Sequence, residues 1–235
     1  MQSTQERKKG GFARALLPSF NADLKKYDEL YQQFSREGYT RELCEAYADA
    51  FVNNRKKPAA EDLVQLVSLY DRVHEFSSAE FYLEMLSERK LSGDDKFGYC
   101  IEALKVKSKL GHWRDAEDFR TENINFMQNH SEKVDQSKKA KMYIALALAD
   151  CAAKNYEQAG KLLTAFGFKP EKRSDTTLLE MMITAVYICA KSGDPDSLAV
   201  AVANAEAAKK ITEFEFPWCK DYYEQCIQEA SEGVL

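Results

Sequence analysis

The sequence predicts an all-α protein, a right-handed α-solenoid of about five antiparallel helix hairpins with a C-terminal capping helix. Three observations lead there. Apolar residues recur with the 3.6-residue period of helices along most of the 235-residue chain. Five candidate turns, at Gly38, His74, Gly111, Lys154 and Gly193, lie 36, 37, 43 and 39 residues apart, the spacing of a repeating hairpin unit. The prolines, at positions 18, 58, 170, 195 and 217, fall at the boundaries of the proposed helices and none falls inside one.

The solenoid is expected over residues 22–210, after a frayed basic tail over 1–21 whose Phe12, Leu16, Leu17 and Phe20 are free to dock on the first hairpin or on a partner. The first hairpin, about residues 22–54, sets Leu24, Tyr27, Leu30, Tyr31 and Phe34 on one helix face, turns at Gly38, and answers with Leu43, Tyr47, Ala50 and Phe51. The stretch 55–59, with Pro58, breaks the helix. In the second, Leu63, Leu66, Val67 and Tyr70 precede the turn and Phe76, Ala79, Leu83 and Leu86 follow it, with Ser77 or Ser78 as N-cap and Ser92-Gly93 as closure. The third keeps Cys100, Ala103, Leu104 and Leu110, then Trp113 and Ala116, but has Lys107 and Arg120 where core aromatics are expected. Trp113 takes the bulky post-turn place that Phe76 and Tyr156 fill elsewhere, and is read as packing between helices. The fourth runs Tyr143, Leu146, Ala147, Ala149, then Tyr156, Ala159, Leu163 and Phe166, ending at Gly167 and Pro170. The fifth runs Met182, Ala185, Val186, Cys189, then Pro195, Leu198, Ala201 and Ala205. Residues 211–235, aromatic and acidic, read as the cap, and Phe214, Phe216 and Trp218 form either its core or a hydrophobic patch for a partner.

These units resemble tetratricopeptide repeats, most closely in Leu63, Leu66, Tyr70, Phe76 and Ala79 and in Tyr143, Leu146, Ala147, Tyr156 and Ala159. The glycine usual in the first helix of such a repeat is replaced by Tyr31, Val67, Leu104, Ala147 and Val186, which implies less tight packing. The resemblance implies a non-catalytic adaptor or scaffold that holds a protein or peptide on a concave face lined by the first helix of each unit; the alternative is a peptide-responsive regulatory protein of the same fold. By helical periodicity the outward positions are Gln32 and Arg36 in unit one, Gln65, Ser68, Asp71 and Arg72 in unit two, Lys105, Ser108 and Lys109 in unit three, and Ile144 and Leu148 in unit four. Such a surface runs from mixed charge through basic to apolar and suits a segment bearing acidic and apolar residues. Val64 and Ser68 stand where some family members hold a chain-terminal carboxylate with lysine and asparagine, so that ligand is not expected.

Composition supports a binding module over other classes. Charged residues make up 30% and hydrophobic residues 45%, which excludes a disordered chain, and no apolar run is long enough for a bilayer. A net charge of −5 argues against nucleic acid as partner. Six scattered cysteines, without a metal-site spacing and without a secretory leader ahead of them, read as buried thiols of a cytoplasmic monomer. Only three histidines, His74, His112 and His130, are present, each near a helix end, and no nucleophile, phosphate-loop or zinc motif accompanies them. No catalytic residue, metal or cofactor is assigned.

Overall fold

In the computed structural model, residues 18–166 and 176–235 are described, with only the backbone of 18–21, 35–37 and 165. The described residues are all-helical. Eleven α-helices follow one another: α1 (Pro18–Glu37), α2 (Arg41–Ala48) prolonged by a π-helical turn at Asp49–Asn53, α3 (Ala60–Arg72), α4 (Phe76–Ser87), α5 (Gly93–Lys109), α6 (Trp113–Ser131), α7 (Gln136–Ala152), α8 (Tyr156–Phe166), α9 (Thr177–Ser192), α10 (Pro195–Glu215) and α11 (Lys220–Ser231), the last preceded by a 3-10 turn at Pro217–Cys219.

All five anticipated turn residues adopt left-handed backbone: Gly38 (φ 86°), His74 (57°), Gly111 (74°), Lys154 (63°) and Gly193 (65°). A helix ended by one left-handed residue turns its leftover carbonyls back on the next amides. Glu75 N donates to Tyr70 O at 3.0 Å, His112 N to Lys107 O at 3.1 Å and Asn155 N to Asp150 O at 2.8 Å, the six-to-one bond of that motif at three successive turns. His74 and Lys154 hold the conformation without being glycine, because the same pair of closing bonds over-determines it. Three residues after the bulky post-turn side chain, Ala79, Ala116 and Ala159 are fully buried, and their small size lets each hairpin close.

Packing follows chain order. Each helix lies against its sequence neighbour, and the odd helices α3, α5, α7, α9 and α11 also lie each against the next odd one. Gly98 serves that row, since a Cβ there would stand 3.0 Å from Val64 Cγ1. Four buried clusters succeed one another and share residues at their borders: Tyr99 and Phe119 between the first and second, Leu162 between the second and third, Tyr187 and Leu235 between the third and fourth. The apolar seam is therefore continuous from α1 to α11.

The two ends of this row also meet. The 3-10 turn packs on α1, and Gly38 lies so close to Tyr222 that a Cβ would fall 2.4 Å from the tyrosine Cβ. Tyr39 and Tyr222 meet edge to face with ring centroids 5.4 Å apart.

Several local expectations are corrected. Helix α1 begins at Pro18, and residues 1–17, including Phe12, Leu16 and Leu17, lie outside the described residues, as do Gly167 and Pro170 and the side chains of Phe20 and Arg36. Neither Ser77 nor Ser78 caps α4, which starts one residue earlier with Glu75 at its N-cap, because the six-to-one bond of the preceding turn ends there. Ser92 and Gly93 open α5 rather than close α4. Residues 211–215 extend α10, so the separate terminal helix starts only at Lys220. Trp113, the first residue of α6, is 47% exposed, with the Arg114 guanidinium 5.1 Å from its ring. At a helix start its indole overhangs solvent instead of reaching between helices.

Candidate functional site

The last turn of α3 and the C-terminal half of α5 bring together four charged side chains, Asp71, Glu102, Lys105 and Lys109. Asp71 is 2% exposed, and Lys109 Nζ stands 3.0 Å from each of its carboxylate oxygens, donating a hydrogen bond to Oδ2. Lys105 Nζ lies 3.2 Å from the same Oδ2 and donates to Glu102 Oε2 at 2.9 Å. Burial alone would raise the Asp71 carboxyl, but the two ammonium groups outweigh it and hold it well below the usual carboxylate range.

The neighbouring residue Arg72 reaches across the row. Its Nη2 donates to Glu180 Oε1 of α9 at 2.6 Å, a partner 108 residues away, and its guanidinium lies 4.6 Å from the Tyr39 ring centroid. The Thr176 hydroxyl donates to the same Glu180 oxygen at 3.1 Å. Burial pushes the Glu180 carboxyl up, yet Arg72, Lys141 and Lys105 bring it down to about 2.

Beneath these groups lies a cavity of about 90 Å³. Its ionic wall is Asp71, Arg72, Lys105, Lys109 and Glu180, its aliphatic wall Ile144, Leu148 and Ile183, and α11 roofs it with Tyr222, Tyr223 and Cys226. His74, Glu229, Val234 and Leu235 also line it, and His74 Nε2 is 3.5 Å from Glu229 Oε2. The Tyr223 hydroxyl is buried, and among the described residues no group meets hydrogen-bond geometry with it, although Thr176 is near enough to oppose the upward push of burial on its pKa. Along the same row a larger cleft of about 370 Å³ is lined by Gln65, Ser68, Gly98, Glu102, Lys138 and Lys141, among others.

The sequence-predicted surface is thus split. Asp71, Arg72, Lys105, Lys109, Ile144 and Leu148 come together around one cavity, and Gln65 and Ser68 line the neighbouring cleft. Gln65 is exposed as expected, but most are not outward side chains: Asp71, Ser108, Ile144 and Leu148 are buried, and Lys105 and Lys109 are absorbed by Asp71 and Glu102 instead of forming a free basic patch. Ser108 spends its hydroxyl on Leu104 O at 2.6 Å within its own helix. Gln32 is exposed on α1, away from both spaces. The aromatic patch is divided too: Phe216 is core at 3% exposure, whereas Phe214 is 79% and Trp218 39% exposed. Arg120, standing where a core aromatic was expected, donates to the buried Asp150 at 2.7 Å.

Sequence reasoning missed Glu180, Tyr222, Tyr223, Cys226 and Glu229. For Glu180 a signal existed: Thr177–Ser192 carries only that charge before Lys191, and a lone charge on an otherwise apolar helix calls for a buried partner. Among the described residues no group of three or more His, Cys, Asp and Glu side chains is placed to hold a metal, and no helix is long and apolar enough to cross a membrane. Burial pushes the Cys44 thiol up to about 12, and it outweighs the lowering pull of Lys96 on Cys100 and of Lys191 on Cys151, which both rise to about 11. Set against models of known families, curated proteins and solved structures, the chain matches none of them.

Proposed function

We propose that the protein is a non-catalytic binding module, a tetratricopeptide-like α-solenoid whose odd helices line an inner face that holds a segment of another protein. The observation that carries this reading is the packing order: every described helix from α3 onward touches its sequence neighbours, and from α3 to α11 each odd helix touches the next odd one. That is the nearest-neighbour pattern of stacked hairpins, and it sets one face of each odd helix along a common wall. Hairpin units turning at Gly38, His74, Gly111, Lys154 and Gly193, with α11 as the terminal cap, fit the same reading.

The binding surface on this reading is the cleft at Gln65, Ser68, Lys138 and Lys141, continuing toward the roofed cavity. A random peptide display library panned on the immobilised protein tests it. Enriched peptides are expected to lose binding to Ser68→Trp, which fills the cleft, while the melting temperature of that variant stays near that of the parent. Failure to enrich any peptide, or full binding by the folded variant, overturns the proposal.

A further inference from the structure

We infer that the outward side of α10 is a docking face for a second copy of this chain, the two helices packing antiparallel with Ala203 on the two-fold axis. This surface faces away from α9 and α11, so it stands independently of what the odd row binds, and the monomer expected from sequence becomes a dimer.

The argument begins with a helix that is apolar on both sides. A surface helix ordinarily sets apolar residues toward the core and charged residues toward water. Ala201 and Ala208 of α10 are buried in the cluster formed with α9 and α11. The opposite side of its first half is nevertheless apolar: Leu198, Val200 and Val202 stand 43%, 52% and 60% exposed, beside the exposed Ala199 and Ala203. From Ser197 to Ala205 the helix carries no charge at all. Covering such a patch removes apolar surface from water.

Shape and charge say what covers it. Ala199, Ala203 and Ala207 follow one another at four-residue spacing, a row of small side chains that lets another helix come close, with Leu198 and Val202 along one edge and Val200 along the other. Asp196 lies seven residues before Ala203 and Lys210 seven residues after it, close to two turns each way, so all three share one side of the helix. Both charged residues are exposed, and neither has an ion-pair partner among the described residues. An antiparallel copy related by a two-fold axis through Ala203 brings each Asp196 against the other copy's Lys210, twice per dimer. A parallel copy would set like charge on like charge. The same axis carries Phe214, 79% exposed, past the start of the other helix and onto its Gly193 turn, where a Cβ on the glycine would meet nothing within 4 Å. Exposed ion pairs add little affinity, so here they fix direction and register while the apolar patch supplies the attraction.

Sedimentation equilibrium of the whole chain tests this. One helix pair, about 21 Å long from Asp196 to Lys210, is small for an interface, so a monomer–dimer equilibrium with Kd on the order of 10–100 μM is expected. Ala203→Glu sets two carboxylates face to face on the axis and is expected to weaken the dimer by at least about tenfold. Asp196→Lys alone and Lys210→Asp alone each turn both attractions into repulsions and are expected to weaken it by about tenfold. Mixed in equal amounts, these two variants set a lysine against an aspartate at both contacts, and a heterodimer with the Kd of the parent is expected. All three positions are exposed, and melting temperatures in dilute solution close to that of the parent show that the variants are folded. If the face is covered instead by a different protein, or by residues 1–17 of the same chain, the parent stays monomeric up to about 1 mM, far above the expected Kd, and the inference is overturned. A dimer indifferent to Ala203→Glu, or a mixture of the charge variants that associates no better than either alone, overturns it as well.

Discussion

Glu180→Gln is the substitution whose outcome the structure specifies most closely. It keeps the shape of the side chain and removes its charge, leaving Arg72 buried against Tyr39 without the counter-ion now 2.6 Å away. Removing one member of a buried ion pair costs about 3–5 kcal/mol, because the survivor stays desolvated and unpaired. The carboxyl itself sets a compatible scale: its pKa near 2 against an ordinary 4.5 corresponds to stabilisation on the order of 3 kcal/mol. For a chain of this size the melting temperature falls by about 2–4 °C per kcal/mol, so a drop of roughly 6–20 °C is expected by far-ultraviolet circular dichroism at neutral pH. The sign of the pH dependence is fixed. A carboxyl with a depressed folded pKa contributes fully above its unfolded value and loses that contribution as pH falls toward its folded one. The gap between parent and variant should therefore be constant above pH 4.5 and close progressively as pH falls toward 2. The double substitution Arg72→Met with Glu180→Met, which removes both charges, is expected to recover most of the loss. A loss under about 1 kcal/mol, or a gap that ignores pH, would show that this pair is solvated and that α3 and α9 are held together by something else.

Three further outcomes follow from the same contacts. Gly38→Ala combines a left-handed backbone (φ 86°) with a Cβ aimed into Tyr222, whereas Gly111→Ala meets a φ of 74° but open space. Unfolding titrations should give a loss of about 1 kcal/mol at Gly111 and a clearly larger one at Gly38, the excess shrinking in a Tyr222→Gly background, which removes the Cβ it meets. Lys154→Gly relieves the left-handed strain of a residue with a side chain, and stability should rise by up to about 1 kcal/mol; a loss would mean that the lysine stem packs more than its backbone costs. In the native protein at mildly alkaline pH, a chromogenic disulfide reagent should leave Cys44, Cys100 and Cys151 untouched until denaturant is added, since all three are buried with raised pKa values; rapid native labelling of any of them refutes the burial.

Much of the helical order was legible because it is local. Leu63, Leu66, Val67 and Tyr70 repeat at helical intervals, and all four are buried on α3. The turns were legible at His74 and Lys154, where no glycine marks them, because the apolar period breaks there and resumes with Phe76 and Tyr156. What failed was local as well, but finer than periodicity. Whether a serine caps a helix or begins its neighbour depends on one backbone torsion, and at Ser77, Ser78 and Ser92 composition alone permitted either.

The site was half legible for a different reason. Helical spacing grouped Asp71, Arg72, Lys105, Lys109, Ile144 and Leu148, and all six line one cavity, though as buried or paired side chains and not as an open surface. Spacing along a helix cannot say whether a polar side faces water or another charged side, and here it faces Glu180 and the tyrosines of α11. That difference is decided by how far the row curves. Arg72 and Glu180 can touch only if the row bends far enough to bring α9 over α3, and Gly38 can lie against Tyr222 only if the cap returns to the first hairpin. A face of charges that would repel a neighbour in a straighter row becomes self-complementary in this one, Arg72 meeting Glu180 and both Lys105 and Lys109 meeting Asp71.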